Sequence, residues 1–353
     1  MEGGLHTPGF MERRIPWRKT LLLLLVVAAL ITLRFVSAAG RLERNGTVSV
    51  QRPLMGTTWN IEVADHGRAD AARNAIDQAY SELGRIDALM SEWKPESPIS
   101  QVNSAAGKHP VEVPEELRAI LERSNRYSQM SHGAFDITWH GMANIWHFDE
   151  TFTPPSQSAV DEARRLVNFR AIQIEDNRVF LSKAGMSIGL GGIAKGYAVD
   201  QASKVLARAG FHDSLVDGGG DILVSGTRNG ADWQLGIQDP RQPRGTLLGR
   251  VALSNWALVT SGDYERFRIV NGVRYHHIID ARTGWPATAA SSVSVISSTA
   301  EQGVVLAKII FILGPDEGLA VARSEGVEAL LIDPNGKRCA TEGFARQVNL
   351  NTR

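Results

Sequence analysis

Apolar residues recur at helical and strand spacing along most of the chain, so the pattern predicts helices interleaved with short strands. In residues 71–90 the apolar positions Ile76, Tyr80, Leu83, Ile86 and Met90 fall on one face of a helix. Further helices are predicted within 113–132, 194–209, 300–312 and 319–323. Strands are predicted on both sides of Met55-Gly56-Thr57 and at 172–174, 179–181, 214–217, 233–237, 247–253, 256–260, 267–270, 293–296 and 330–332. Residues 139–160 carry aromatic side chains and prolines and are predicted to form a long loop.

Two glycine-rich turns bracket one predicted helix. Gly189, Gly191 and Gly192 precede it, and the glycines at 218–220 come after the strand that follows it. A glycine loop that enters a helix leaves backbone N–H groups free to face an anion, and the helix dipole favours negative charge there. Lys195 occupies the first turn, where that dipole disfavours a cation, so a bound phosphate would account for it. Ordinary turn glycines beside a solvated Lys195 are the alternative, and the pattern leaves both open.

Composition and charge narrow the possible functions. The 353 residues include 38 basic and 38 acidic side chains, which gives a net charge of zero. We therefore predict no nucleic-acid partner. Cys339 is the single cysteine in the sequence, so the chain forms no internal disulfide.

Residues 1–39 are predicted to be a targeting segment. Four basic residues between positions 13 and 19 precede thirteen apolar or small residues at 21–33, and residues 36–38 read Val-Ser-Ala. This arrangement favours a signal peptide over an N-terminal membrane anchor, because thirteen residues are short for a span. Export without disulfides indicates a bacterial periplasm. We expect an exported protein, periplasmic or anchored to the periplasmic face of the inner membrane, with a linker at 40–49.

Histidines and one tryptophan are candidates for chemistry outside the glycine turns. His277 lies near Asp280 and is a candidate general base because imidazole titrates near neutrality, although a structural histidine is an equal alternative. His140 and His147 lack the cysteine or carboxylate spacing of a metal site, which favours a structural role. Trp93 stands in a loop rich in proline and serine, where aromatic residues more often cover a core edge than bind a ring.

Eight stretches of the chain together resemble one family, the FAD:protein FMN transferases, also called the ApbE family. They occur in the family's order between about residues 50 and 340 and read LMGTTWNI, MSEWKPESPIS, GAFDIT, GLGGIAKGYAVD, VDGGGDI, TSGDYERF, YHHIIDARTG, and SVSVIS followed by a helix ending IFILG. The resemblance implies an α+β fold related to the tunnelling fold, with mixed sheets and packed helices in a single compact domain. That domain would occupy residues 50–345, followed by a tail at 346–353.

The resemblance also implies an enzyme that moves FMN from FAD to a Ser or Thr hydroxyl of a partner flavoprotein and releases AMP. In this phosphoryl transfer the hydroxyl attacks the phosphorus nearer the riboflavin. Family members use a divalent cation, usually Mg²⁺, to offset charge on the pyrophosphate. Their acceptors are generally membrane subunits of electron-transfer complexes, so such a flavoprotein is the expected partner beside FAD.

Specific residues follow from matching the motifs to this chain. The FAD site implied by the resemblance is lined by Met55, Trp93, Ala134, Phe135, Asp136, Gly189, Lys195 and Ile278. Lys195 would lie near the phosphates, and the backbone oxygen of Gly192 would bind the metal. His277 would be the base for the attacking hydroxyl.

Three positions depart from the family's pattern. Gly189 begins the glycine loop where the family usually has Asp. Val304 and Lys308 stand where the family has an Asp and, four residues later, a Thr that share one helix face and bind the metal. A valine cannot coordinate Mg²⁺, whereas Lys308 brings a positive charge that can partly neutralise phosphate. These positions argue against the usual Mg²⁺ site and make Lys308 the second catalytic candidate.

Several interpretations remain open at this point. The favoured one is a flavin transferase in which Lys308 replaces or accompanies the metal. The alternative is a non-catalytic relative that binds FAD or flavin and assists the maturation of an exported redox complex. Hydrolysis of FAD to FMN and AMP would need the same site. If the helix register differs from the family's, Glu301 is a substitute metal ligand.

Overall fold

An eight-stranded antiparallel sheet is the framework of the structure, a computed structural model that describes residues 46–350. In spatial order its strands are β1 (Thr47–Leu54), β2 (Thr57–Ala64), β6 (Ser214–Gly218), β7 (Asp221–Ser225), β10 (Trp256–Gly262), β15 (Ser292–Ser297), β16 (Glu328–Ile332) and β17 (Arg338–Ala340). Each pair of neighbours runs antiparallel.

Smaller sheets and hairpins account for the remaining strands. A three-stranded sheet has the order β18-β9-β8, with β8 (Trp233–Gln238), β9 (Leu247–Leu253) and β18 (Val348–Leu350). A second has the order β3-β5-β4, with β3 (Val111–Glu112), β4 (Ile172–Glu175) and β5 (Arg178–Leu181). Two hairpins pair β11 (Phe267–Val270) with β12 (Val273–His276) and β13 (Ile279–Asp280) with β14 (Trp285–Pro286).

Seven α-helices and two short 3₁₀-helices are present in the described part of the chain. The α-helices are α1 (Ala69–Met90), α2 (Pro98–Ser104), α3 (Glu115–Met130), α4 (Gln157–Arg164), α5 (Ala194–Arg208), α6 (Ala300–Ser324) and α7 (Glu342–Gln347). The 3₁₀-helices span Ile137–Met142 and Phe169–Ala171. No helix within residues 46–350 combines the length and the apolar character that crossing a membrane requires.

The central sheet is buried on both faces because its strands alternate between two cores. Ala257 and Val259 of β10 join the main core, which also holds the buried residues of α1, α5 and α6. Leu258, between them, joins a second core with Trp233 of β8 and Val251 of β9. Since neighbouring side chains on a strand point to opposite faces, helices cover one face and the three-stranded sheet covers the other.

Helices α5 and α6 meet so closely that their relative position is fixed. A Cβ atom on Gly196 would lie 2.4 Å from the carbonyl oxygen of Ala300, so glycine is required there. The Asp200 carboxylate accepts hydrogen bonds from the N–H groups of Ala300 (2.8 Å) and Glu301 (3.0 Å), which caps the N-terminus of α6 from the neighbouring helix. This contact sets α5, which carries Lys195, against α6, which includes positions 304 and 308.

The predicted α+β class is confirmed, and several boundaries are sharper than the sequence indicated. The strand pairs between residues 46 and 350 are antiparallel, a more specific arrangement than the mixed sheets that the resemblance implied. The helices predicted at 300–312 and 319–323 lie on the two sides of a kink in α6, where the backbone is non-helical at Gly314 (φ 82°) before Pro315. The segment 139–160, predicted as a loop, includes most of one 3₁₀-helix and the start of α4.

The predicted domain boundaries can be compared with the structure only within residues 46–350. The first strand begins at Thr47, inside the linker predicted at 40–49. The targeting segment predicted at 1–39 lies outside the described residues. The final strand β18 lies within the segment predicted as a tail at 346–353 and pairs with β9, so this segment is part of the fold.

Candidate active site

The first glycine loop contacts two neighbouring segments so closely that side chains larger than hydrogen would displace them. A Cβ atom on Gly192 would lie 2.8 Å from Cε2 of Phe135 and 3.9 Å from Cδ of Lys308. A Cβ atom on Gly189 would lie 3.0 Å from Cβ of His140. The loop therefore brings together the Phe135 segment, α6 and the segment of His140 before the chain enters α5.

Lys195 is neither free nor simply solvated. Its ammonium Nζ lies 2.7 Å from Oδ2 of Asp221, the first residue of β7. Asp221 is 4% exposed, so this is a largely buried carboxylate paired with a lysine in the first turn of α5. Asp221 follows the second glycine cluster, and its local sequence predicts no role for it. Its pairing with Lys195 is evident only in the fold.

The second glycine turn, just before Asp221, is stabilised by a hydrogen bond within the turn. Gly219 and Gly220 have φ values of 75° and 97°, in the left-handed region that favours glycine. The N–H of Gly220 donates to Oδ1 of Asp217 at 2.7 Å. Burial raises the pKa of Asp217, and the neighbouring Asp221 adds to that rise. The turn thus positions Asp221 next to Lys195. The N–H of Gly220 in this turn is already bound to Asp217 and is not free for a ligand.

Lys308 adds a second lysine to the same place from α6. Its ammonium donates to the carbonyl oxygen of Val304 at 3.2 Å. Burial lowers the pKa of Lys308 to about 8; Asp221 opposes the shift by attraction and Lys195 adds to it by repulsion. Asp221 therefore pairs directly with Lys195, and its charge also acts on Lys308, the second lysine predicted near the pyrophosphate.

His277 lies within the electrostatic reach of Lys308. Its N–H donates to the carbonyl oxygen of Arg266 at 3.2 Å, and its ring nitrogen Nδ1 lies 3.3 Å from the same oxygen. Burial lowers the pKa of His277 to about 3, with a further contribution from the positive charge of Lys308. The imidazole is therefore neutral at physiological pH. With Nδ1–H facing the Arg266 carbonyl, Nε2 carries the lone pair.

The adjacent histidine, His276, has a different role. Its Nε2 donates to the carbonyl oxygen of Ala287 at 2.8 Å, and its Nδ1 accepts the N–H of Ile278 at 3.2 Å. Both ring nitrogens are thus engaged with the backbone, and burial lowers the pKa of this histidine as well. His276 is a structural residue, and it holds Ile278 beside His277.

The Met55 turn reaches His277 through Arg266. Met55 has a φ of 47°, which places it in the left-handed region between β1 and β2. Nη2 of Arg266 donates to the carbonyl oxygen of Gly56 at 3.4 Å. Arg266 therefore joins two segments that the sequence placed more than two hundred positions apart, and the sequence analysis gave it no role.

Trp93 lies beside His140, which packs against the glycine loop. Its side chain is 74% exposed, and its ring centroid lies 5.5 Å from that of His140 in an edge arrangement. Nδ1 of His140 is 2.8 Å from the Ser187 hydroxyl, whereas its Nε2 is buried and has no hydrogen-bond partner among the described residues. Because Gly189 packs on His140, this histidine links Trp93 to the glycine loop. Its position in an aromatic run was the one signal of this role in the sequence.

Of the predicted residues at 134–136, Phe135 contacts the glycine loop, whereas Ala134 and Asp136 form hydrogen bonds that hold neighbouring segments. Phe135 touches the glycine loop at Gly192. The carboxylate of Asp136 accepts hydrogen bonds from the N–H and hydroxyl of Thr138 (2.8 and 2.6 Å) and from the N–H of Phe169 (2.9 Å). The carbonyl oxygen of Ala134 accepts the N–H of Ala281 at 3.4 Å. The side chain of Asp136 therefore ties down its own loop, and its predicted contact with FAD stays a prediction.

The residues around Lys308 do not fit the usual magnesium site. Within residues 46–350, no three His, Cys, Asp or Glu side chains lie close enough together to hold a metal ion. Val304 offers only its carbonyl oxygen, which accepts the hydrogen bond from Lys308, and Asp221 pairs with Lys195. Glu301, the substitute ligand, accepts two hydrogen bonds from Arg123 at 2.6 and 3.0 Å. Mg²⁺ requires several hard oxygen ligands in octahedral geometry, and lysines occupy this place instead.

Comparisons with known proteins agree on one family. The sequence model described as the ApbE family matches residues 55–331. A FAD:protein FMN transferase from Treponema pallidum is 31% identical over 335 residues, which is 89% of this chain and 92% of the relative. One from Vibrio cholerae is 28% identical over 84% of this chain and 91% of its own length.

Solved structures give the same result for the fold. The crystal structure of the ApbE protein of Thermotoga maritima has a TM-score of 0.79 and 29% identity, covering 85% of this chain and 99% of its own. The flavin transferase ApbE of Vibrio cholerae has a TM-score of 0.76 and 26% identity, covering 85% and 99%. Since the family's sequence model spans most of the chain and the folds coincide, this protein belongs to the ApbE family.

Proposed function

We propose that the protein is a FAD:protein FMN transferase that moves FMN from FAD to a Ser or Thr hydroxyl of an acceptor flavoprotein. The acceptor oxygen forms a bond to the phosphorus nearer the riboflavin. The bond between that phosphorus and the oxygen of AMP breaks, so AMP leaves with the electron pair and the acceptor proton passes to a base. Relatives named FAD:protein FMN transferase along nearly the whole chain support this assignment.

The grouping of Lys195, Asp221 and Lys308 beside the glycine loop carries the proposal in this chain. Phosphoryl transfer needs positive charge at the phosphates and at the leaving group, with little covalent work from the protein. Lys195 pairs with Asp221, and Lys308 of another helix lies beside the glycine loop, where its charge interacts with both groups. A pyrophosphate entering here gains two cations whose mutual repulsion in the free protein it relieves.

His277 is placed to take the proton of the acceptor hydroxyl. Its Nε2 carries the lone pair because Nδ1–H faces the carbonyl oxygen of Arg266. In the protein without FAD, the low pKa of His277 keeps this lone pair free of a proton. The negative charge of bound FAD raises the pKa of His277 toward the value that a general base needs. His277 and Lys308 then act together, one on the proton and the other on the phosphate.

The remaining predicted residues enclose the dinucleotide in this proposal. Arg266 connects the Met55 turn to the segment of His277 and Ile278, and Trp93 offers an exposed ring beside His140. We also propose that the protein is exported, on the basis of its N-terminal pattern, and that its acceptor is a membrane subunit of an electron-transfer complex. Lysine charge replaces the divalent cation in this site.

Mass spectrometry of an acceptor peptide tests the function directly. The purified full-length protein is incubated with FAD and a peptide carrying the family's acceptor motif, with Mg²⁺ in one arm and a chelator in the other. A mass gain equal to FMN, together with stoichiometric AMP, is the expected result in both arms. FAD that binds tightly without any mass gain would instead identify a flavin-binding relative. AMP release without labelled peptide would identify a hydrolase.

Two lysine variants sharpen this experiment. Lys195→Met removes an ammonium that pairs with Asp221, whereas Lys204→Met removes an exposed ammonium further along the same helix. We expect labelling to fall strongly in the first variant and to stay near the parent value in the second. Equal labelling by both would show that Lys195 does not serve the phosphates.

A further inference from the structure

Two exposed apolar side chains lie on one hairpin that leads directly into the candidate active site. Exposed large apolar residues are few between residues 46 and 350: Trp93, Trp256, Ile269 and Val273. Ile269 is 58% exposed and Val273 is 51% exposed, and both belong to the β11–β12 hairpin. Strand β12 ends at His276, immediately before His277. The feature is therefore continuous with the residue that we place at the reacting hydroxyl.

The hairpin turn holds these side chains in fixed positions. Val270 pairs with Val273 across two residues, Asn271 and Gly272, whose φ values are 51° and 79°. Two left-handed residues at this place are the hallmark of the type I′ turn, which matches the natural twist of paired strands. A tip that is already ordered loses little conformational entropy when a partner covers it.

Apolar groups occupy both faces of the tip. Ile269 pairs with Arg274, on the face that also carries Phe267. Val273 pairs with Val270, on the opposite face, where Val270 packs against the aromatic cluster around Trp146. The tip is therefore a narrow apolar wedge, and its inner part is anchored while its end is exposed.

Three arginines lie on or next to this hairpin, and their guanidinium groups bind backbone carbonyl oxygens. Arg266, Arg268 and Arg274 donate to the carbonyl oxygens of Gly56, Asp149 and Asp263. In the part of the chain that the structure describes, none of the three is within ion-pair distance of a carboxylate. The charge of the hairpin thus remains available to an incoming acidic group.

We propose that the β11–β12 hairpin docks the acceptor polypeptide, by holding an apolar residue flanked by Asp or Glu while the acceptor hydroxyl reaches His277. This inference rests on the proposed function. A four-residue strand spans about 13 Å, so the docked residue lies about four to six positions from the acceptor Ser or Thr in an extended segment. The hairpin thereby selects acceptors by sequence outside the modified residue.

A polypeptide fits this place better than a lipid surface does. The hairpin begins its return at the exposed tip and ends at His276, next to His277. Because the transfer reaction brings a polypeptide to His277, the same polypeptide can cover the tip. A lipid surface would use the same apolar and basic groups without any link to the reaction. Vesicle binding is accordingly measured as the competing outcome.

Transfer to two acceptor peptides tests the proposal. Both carry the family's acceptor motif; the long one extends by about eight residues on each side, with an apolar residue between aspartates within reach of the tip, and the short one extends by about two. In the parent protein we expect a KM for the long peptide at least about tenfold below that for the short one. Raising the salt concentration weakens this advantage because arginines contribute to it.

The Ile269→Ser/Val273→Ser variant removes the wedge. We expect it to lose the advantage of the long peptide while its FAD dissociation constant stays at the parent value. Trp256→Ser is the matched control, because Trp256 is also a large apolar residue, is 43% exposed and lies in β10, outside the hairpin. We expect this control to keep the lower KM for the long peptide. An unchanged KM for the long peptide in the double variant would overturn the docking role. Loss of binding to anionic phospholipid vesicles with unchanged KM would assign the tip to the membrane instead.

Direct binding keeps this test independent of catalysis. If the parent protein transfers FMN to neither peptide, the proposed function fails, and fluorescence anisotropy of the labelled long peptide still reports docking. Weaker binding of that peptide to the double variant than to the parent and to Trp256→Ser supports the hairpin as a docking surface. Equal binding to all three proteins contradicts it.

Discussion

The carboxylate of Asp221 lies 2.7 Å from the ammonium of Lys195, and the same carboxylate favours the charged form of Lys308. One buried negative charge therefore serves two lysines on two helices. In the free protein it offsets their repulsion, and in the complex the pyrophosphate of FAD adds further negative charge. The stability of the protein and its affinity for FAD are thus coupled through a single side chain.

Replacing Asp221 by Asn exposes this coupling. Breaking a buried ion pair is costly because it leaves a charge without a partner, and the partial exposure of Lys195 reduces that cost. We expect the free energy of unfolding to fall by about 1–3 kcal/mol without FAD. FAD should then raise the Tm of Asp221→Asn by more than it raises the parent's, since the ligand replaces the missing charge.

Urea unfolding without FAD measures the first effect, and thermal unfolding with and without FAD measures the second. Asp70→Asn is the control because Asp70 forms an exposed ion pair with Arg73 at 3.1 Å and has a side chain that is 97% exposed. Its effect should stay within about 0.5 kcal/mol. If Asp221→Asn is as stable as the parent, the carboxylate does not hold the two lysines.

Lys308→Met tests whether lysine charge takes the place of a divalent cation. Methionine keeps much of the side-chain volume and removes the ammonium, so we expect the FAD dissociation constant to rise by about tenfold or more, as for the loss of one charge-assisted hydrogen bond. A chelator should leave transfer by the parent protein unchanged. Isothermal titration with FAD and the peptide-labelling rate measure the two effects.

Loss of parent activity under chelation, with recovery on adding Mg²⁺, would contradict this account of Lys308. It would mean that oxygen ligands around Gly192 assemble a metal site when FAD is present. Lys204→Met again serves as the control, because this lysine is exposed on α5.

Two neighbouring glycines give a matched pair for the close packing of the loop. A Cβ atom on Gly192 would lie 2.8 Å from the ring of Phe135, whereas one on Gly191 meets nothing within 4 Å. Gly192→Ala should therefore push Phe135 aside, lower the free energy of unfolding by about 1–3 kcal/mol and weaken FAD binding. Gly191→Ala should change both quantities little. Similar effects of the two substitutions on FAD binding would show that the contact with Phe135 does not shape the site.

The sequence was a good guide to elements whose signal is local. The amphipathic helix predicted at 71–90 is α1, and the strands predicted around Met55-Gly56 are β1 and β2, because apolar spacing and turn glycines fix them within a few residues. Lys195 and Lys308 were singled out from motif positions; in the structure Lys195 pairs with Asp221, and the charge of Asp221 acts on Lys308.

Contacts between distant segments could not be predicted in this way. Arg266 joins the Met55 turn to His277, and His140 joins Trp93 to the glycine loop, yet neither partner pair is close in sequence. The neutral state of His277 also depends on tertiary burial and on a lysine from another helix. Local spacing carries no information about such contacts, because they arise only when segments distant in sequence pack together.

Asp200 gives a prediction about pH that does not depend on the reaction. Burial raises its pKa from 3.8 to about 6, with a further rise from Glu301, while its hydrogen bonds to the N–H groups of α6 and the charge of Lys204 act in the opposite direction. The folded protein therefore holds this proton more tightly than the unfolded chain. Its contribution to stability is complete below the unfolded pKa and is lost as the pH rises through about 6.

Comparing Asp200→Asn with the parent isolates this effect. Asparagine keeps one acceptor for the N-terminus of α6 and cannot ionise, so it loses one hydrogen bond at every pH. The advantage of the parent over the variant in free energy of unfolding should shrink by up to about 3 kcal/mol between pH 4 and pH 7. Urea unfolding at several pH values measures it, with the exposed Glu96→Gln as a control for removing a surface carboxylate. An advantage that grows with pH would mean that Asp200 is held as a charged cap of α6, and its hydrogen bonds to Ala300 and Glu301 would then outweigh its burial.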